Sequence, residues 1–273
     1  MPDLNKMASG KDWTRQTLNL LFAIAQFFVP FFSQLAGIGQ SIEAQAGKDI
    51  ATSPEVPADY AFSIWFVIFI LSAIYAVYQR LPSQRENQLF RKIGWWTAAS
   101  FFLSTLWMLI VQLFGDGWFL AILIILMLFS TLKAFFGFIQ QTKPQSGFDR
   151  FVMTPLLGLF SGWLSVAAFL NTASVLKASS LHTFGLSING FAVVTILSAL
   201  VLALRVMIKS RGNLWYGGTI LWALTGVIVA NVTRTQNPMI VCVAVSLLLV
   251  VIFTLFYSRK RLAAGNPSLP IRF

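Results

Sequence analysis

Trp118-Phe-Leu-Ala-Ile-Leu-Ile-Ile-Leu-Met-Leu-Phe-Ser-Thr-Leu-Lys133-Ala-Phe-Phe-Gly-Phe-Ile139 is the stretch that decides the fold. A helix rises about 1.5 Å per residue, so about 20 apolar residues cross a hydrocarbon core of about 30 Å. This stretch is long enough, and its one charge, Lys133, lies close enough to one end to snorkel to the interface. It lacks the in–out alternation of a barrel strand. Unpaired backbone groups are not tolerated in hydrocarbon, so the segment must be a helix.

The same reading extends in both directions along the chain. Apolar stretches at 14–36, 60–79, 94–114, 118–139, 152–175, 188–208, 214–232 and 238–257 predict eight spans. Turn formers and prolines separate them: Pro54 and Pro57, Pro82, Gly115-Asp116-Gly117, Pro144, Gly212-Asn213 and Asn237-Pro238. Only 11% of the residues are charged and 57% are hydrophobic, whereas a soluble domain carries roughly 25% charged residues. The predicted fold is an all-α, polytopic transmembrane bundle of about eight spans, with membrane lipid as its main solvent.

The net charge of +11 is a topology signal and not a nucleic-acid signature. With eight spans, 17 of the Lys and Arg residues fall on one side, among them Arg15, Arg80, Arg85, Arg91, Arg150, Arg205 and Arg259. The other side has 3: Lys48, Lys177 and Arg234. This predicts a multi-pass protein of the plasma (inner) membrane with both termini cytoplasmic and no nucleic-acid partner. All nine carboxylates lie at or before Asp149, and the last 124 residues have none. A proton relay or an acid–base pair in the second half is thereby excluded. With one Cys (Cys242) and one His (His182), a disulfide framework and a Cys/His metal site are excluded as well. No phosphate loop, zinc-protease motif or nucleophile elbow is present, so the chain is not expected to be an enzyme.

Trp13, Trp95, Trp96, Trp118 and Trp215 sit at span ends, as interfacial Trp does. Trp65, Trp107, Trp163 and Trp222 lie inside spans, where each indole N–H needs a partner or a cavity. Asn171 is an intramembrane amide that needs several hydrogen-bond partners. Gly158 and Gly162 form a small-x-x-x-small pair that lets another helix approach closely.

Four motifs carry a family resemblance: Pro57-Ala-Asp-Tyr60-Ala-Phe62-Ser-Ile-Trp65 with Phe69; Ser104-Thr-Leu-Trp107; Leu113-Phe114-Gly115; and Pro155 followed by Trp163-Leu-Ser165-Val-Ala167-Ala-Phe-Leu170-Asn171. Over residues 14–176 the chain resembles the tryptophan-rich sensory protein / translocator protein family, the peripheral benzodiazepine receptor-like proteins. It departs from them at Ser63, where the family has proline, and at Ser104, where it has Asn. Thr172, Ala173 and Ser174 replace the family's sterol-associated Tyr and basic residue, so the resemblance does not carry sterol binding to this chain.

The resemblance implies a five-helix unit over 1–176, followed here by a three-helix extension with a basic tail over 177–273. It also implies a pocket for a hydrophobic ligand lined by Trp65, Phe69, Trp107, Trp163, Ala167 and Asn171. A loop at about 37–59, ending in Pro57 and Tyr60, would cover that pocket. The expected ligand is a hydrophobic small molecule, with porphyrin or haem as candidates, and no cofactor is required. The expected role is that of a sensory or regulatory receptor or carrier, with a homodimer as a candidate assembly. A secondary transporter and a non-catalytic membrane scaffold are the alternatives.

Overall fold

The computed structural model describes residues 10–37, 53–115, 117–141, 146–179 and 184–263. Among them are eight long helices: α1 (Gly10–Phe28), α2 (Ile64–Arg80), α3 (Gln88–Phe114), α4 (Trp118–Ile139), α5 (Thr154–Ala178), α6 (Ile188–Lys209), α7 (Leu214–Thr233) and α8 (Pro238–Ala263). The sequence supplies their stops and starts. The side chains of Asn87, Ser187 and Asn213 accept N-terminal N–H groups of α3, α6 and α7, satisfying donors that a helix start leaves open. Gly115 ends α3 with φ of 73°, a backbone conformation that L side chains rarely adopt.

Helices α2 to α8 are long and apolar enough to cross a membrane. Their exposed surface is itself apolar. On α4, Phe119, Ile122, Leu126 and Phe129 face outward, while Leu120, Ile124, Met127 and Phe135 are buried. An exposed apolar belt of this extent has no place on a protein surrounded by water.

The first span differs from its expected form. The helix starts at Gly10, ends at Phe28 and continues through a 3-10 turn containing Pro30 into a short helix, Phe32–Ala36. It carries Lys11, Asp12 and Arg15, and Asp12, Arg15, Gln16, Asn19 and Gln26 are among its buried residues. This helix therefore turns a polar stripe into the bundle.

Contacts close the first five long helices into a ring in the order α1–α2–α5–α4–α3 and back to α1. The extension is built on the ring's own wall. Helix α5 also packs on α6 and α7, and α8 packs on both of those from the other side. Helix α5 is consequently the most buried span. Its approach to α7 depends on Gly158 and Gly162: a Cβ on Gly158 would lie 2.6 Å from Trp215 Cβ, and one on Gly162 would lie 2.8 Å from Thr219 Cβ. Between these close approaches and Asn171, Tyr216 Oη of α7 donates to Ser165 Oγ at 2.8 Å.

Candidate functional site

The four-residue spacing of Trp163, Ala167 and Asn171 places them one turn apart on the ring-facing side of α5. Trp163 is 1% exposed and Ala167 is buried. Trp65 and Phe69, one turn apart on α2, meet this face: the Trp65 ring lies 5.5 Å from Phe69, 6.0 Å from Phe160 and 6.4 Å from Trp163. The contacts with Phe160 and Trp163 are edge-to-face, the arrangement that ring quadrupoles favour. Trp107 reaches across from α3, and its Nε1 donates to Asn171 Oδ1 at 3.2 Å, while Asn171 Nδ2 donates to the Ala167 carbonyl at 3.0 Å. The six residues expected to line a pocket thus form two groups, Trp65, Phe69 and Trp163 in ring contact and Trp107, Asn171 and Ala167 joined by hydrogen bonds, with α5 contributing to both.

Three further rings join the first group. Phe62 lies edge-on to Trp163 at 5.5 Å, Phe160 belongs to α5 itself, and Phe101 of α3 stacks on Phe160 at 6.3 Å. A Phe in an apolar span carries no signal that separates a site wall from lipid contact, so Phe101 and Phe160 were not expected here, and Phe62 stood only as a member of the first motif. Among the buried polar atoms that have no hydrogen-bond partner among the described residues are Trp163 Nε1, Ser104 Oγ and both amide atoms of Gln26. They lie on α5, α3 and α1, three walls of the ring. In an apolar interior such groups cost free energy unless they find a partner.

Beneath the aromatic layer the ring is closed by a polar knot. Arg15 is 1% exposed, and its guanidinium donates to the Phe90 carbonyl at 2.9 Å, the Arg85 carbonyl at 3.1 Å and Asp12 Oδ1 at 3.3 Å. Asp12 also pairs with Arg91 at 2.7 Å. Thr97 links Asn19 at 2.7 Å to Tyr75 at 3.1 Å. Gly94 lets the Arg15 side chain pass, since a Cβ there would sit 2.8 Å from Arg15 Cδ. Just outside, Arg80 and Arg85 lie over the Trp13 ring at 4.4 and 3.8 Å, an arrangement suited to a membrane interface.

At the opposite end, the segment expected to cover the pocket is held by the extension. Residues 38–52 lie outside the described residues, as do Asp116 and His182. From Ser53 onward, the segment is clamped by α7 and the end of α5. Asn231 Nδ2 donates to the Pro54 carbonyl at 2.7 Å, Arg234 to the Val56 carbonyl at 2.8 Å, and Trp222 Nε1 to the Ala61 carbonyl at 2.9 Å. Ala58 N–H donates to the Gly226 carbonyl at 2.9 Å. Pro57 packs directly on Gly226, where a Cβ would meet Pro57 Cβ at 2.8 Å. The Tyr60 ring stands edge-on to Trp222 at 5.2 Å. Pro57 and Tyr60 therefore grip α7, and Phe62 is the residue of this segment that reaches Trp163. Lys177 at the end of α5 donates to Ser53 Oγ at 2.6 Å and pairs with Glu55 at 2.5 Å. Burial pulls the Arg234 guanidinium below its usual range, an effect that Asp59 and Glu55 oppose.

The profile of the family described as TSPO-like protein matches residues 16–257. The match takes in the four motifs and runs on through α6 and α7 into α8. No curated protein and no solved structure matches the chain.

Proposed function

The chain belongs to the TSPO-like family, and from that premise we propose that this integral membrane protein is a receptor or carrier for a flat, hydrophobic ligand of tetrapyrrole type, with a sensory or regulatory role. The observation that carries the proposal is the buried Trp163 indole. Its face belongs to a wall of aromatic rings, and its N–H has no partner among the described residues. A conjugated macrocycle offers faces for Trp65 and Trp163 to stack on, and polar edges for a donor to meet. Ala167, small and one turn from Trp163, leaves room beside the ring. Trp107 is held in place by Asn171, so its indole plane is set before a ligand arrives, which lowers the cost of ordering on binding.

In this reading the ligand needs no covalent chemistry from the protein, and the chain is not an enzyme. The side bearing Arg15, Arg85 and Arg91 is cytoplasmic, following the excess of basic residues there. Titration of intrinsic Trp fluorescence with protoporphyrin tests the proposal. Saturable quenching is expected, with affinity weakened about tenfold or more in Trp107→Phe/Trp163→Phe, since each lost ring contact contributes about 0.5–1.5 kcal/mol beyond area burial. Absence of quenching, or unchanged affinity in that variant, would remove the site. Directional, ion-dependent uptake of a small solute into liposomes would favour a transporter instead.

A further inference from the structure

The end of the bundle where α1 begins carries a cleft outside the ring. It lies where α4 ends, α5 and α7 begin, and α6 and α8 run out, and it encloses about 410 Å³. That is within the range of small-molecule sites. Its wall is cationic. Lys209 and Arg211 come from the end of α6 and the turn after it, and Arg259 comes from the last turns of α8. Gln140 and Thr154 add hydrogen-bonding groups, and no carboxylate stands among the lining residues.

The turn at 210–213 sets this arrangement. Arg211 and Gly212 both have positive φ, 57° and 68°, and the Gly212 N–H closes the end of α6 on the Met207 carbonyl at 2.9 Å. A Cβ on Gly212 would lie 2.9 Å from Arg259 Cγ and 3.0 Å from the Leu255 carbonyl oxygen. The turn is therefore seated on α8, with the stem of Arg259 against it. An excess of Lys and Arg at one membrane face is a matter of topology. Topology does not require that three of them share one concave space with no carboxylate on its wall. Leu214 and Trp215 line the same cleft and are exposed, and a Trp at the end of a span suits headgroup level. The wall thus joins anion-binding side chains to an apolar, lipid-facing edge.

We propose that this cleft binds the headgroup of an anionic phospholipid, with its phosphate among Lys209, Arg211 and Arg259 and its glycerol beside Leu214 and Trp215. Arginine presents paired N–H donors that match phosphate oxygens, and basic pockets between transmembrane helices are suited to such headgroups. A zwitterionic headgroup would bring its own cation among three others. A soluble anion would satisfy the charges and leave the apolar edge without an occupant.

The test is scintillation proximity binding of tritiated dioleoyl phosphatidic acid to the full-length protein in detergent micelles. Unlabelled phosphatidic acid, phosphatidylglycerol, phosphatidylcholine and inorganic phosphate serve as competitors. Phosphatidic acid should compete best, phosphatidylglycerol less and phosphatidylcholine least. Arg211→Gln/Arg259→Gln removes two charges, each expected to change affinity about fivefold, so phosphatidic acid should bind about 25-fold more weakly. Lys92→Gln removes a charge at the same end of the bundle but outside the cleft, and should leave binding unchanged. If the double variant does not fold, Arg259→Gln alone decides, with an expected loss of about fivefold. Equal competition by the three lipids, affinity unmoved in the cleft variants, or the same loss in Lys92→Gln would overturn the proposal. Displacement by millimolar inorganic phosphate would assign the cleft to a soluble anion and overturn it as well. None of the lining residues belongs to the aromatic wall of the ring, so this outcome is independent of porphyrin binding.

Discussion

Trp107 and Asn171 answer each other's needs across the ring: an indole N–H and an amide, both placed in hydrocarbon, pair at 3.2 Å. Asn171→Leu should orphan that indole and destabilise the protein by about 1–3 kcal/mol. The Trp107→Phe/Asn171→Leu pair should cost less than the sum of the single changes, as a double-mutant cycle in detergent unfolding would show. The need of Asn171 for partners was legible in sequence, because an amide inside a span has few alternatives. Arg15 and Glu55 were not. A charge near a membrane edge reads the same whether it points to water or into the bundle. Here Arg15 turns inward onto backbone carbonyls and Glu55 is tucked under α7 and Lys177. Asp12→Asn should therefore cost about 3 kcal/mol, the scale for breaking a buried ion pair, although Asp12 stands in the first turn of its helix. Thermal unfolding of the purified variant measures this.

At the level of helices, close approach is set by glycine. Gly162 faces Thr219 and the Tyr216 carbonyl of α7, so Gly162→Val should strain the α5–α7 seam by about 1–3 kcal/mol, the usual cost of overpacking. Gly218, on α7 as well, has open space where its Cβ would be. Gly218→Ala should be neutral or stabilising by up to about 1 kcal/mol through helix propensity. The contrast between the two variants in the same unfolding assay separates packing from propensity. The small-x-x-x-small spacing announced a close neighbour but could not say which one, since any helix of the bundle would satisfy the pattern. The seven strongly apolar spans were readable from length and hydropathy alone. Helix α1 was harder, because its stripe of Arg15, Gln16, Asn19 and Gln26 lowers its apolarity while serving the interior.

Seen as a whole, the molecule is a five-helix ring and a three-helix annex that share α5 as a common wall. The division expected near residue 176 came from the family resemblance, which carried no hint of what the annex does. The clamp on residues 53–61 supplies a physical role: α7 holds the segment that delivers Phe62 and Trp65 to the ring. That contact joins residues more than 150 positions apart, a distance over which sequence patterns carry no pairing information. The topology reading makes its own prediction. In a Cys242→Ser background, Ser83→Cys should react with impermeant maleimide only from the cytoplasmic side, and Phe184→Cys only from the opposite side.

The central claim is that a hydrophobic ligand occupies the ring interior at Trp65, Trp107 and Trp163. Fluorine NMR of fluorotryptophan-labelled protein, assigned by single Trp→Phe changes and titrated with protoporphyrin, reports on each indole at once. The account predicts saturable shifts at Trp65, Trp107 and Trp163, with little change at the interfacial Trp13 and Trp118. An unmoved Trp163 resonance, with shifts confined to the interfacial rings and growing in proportion to added porphyrin, would contradict it.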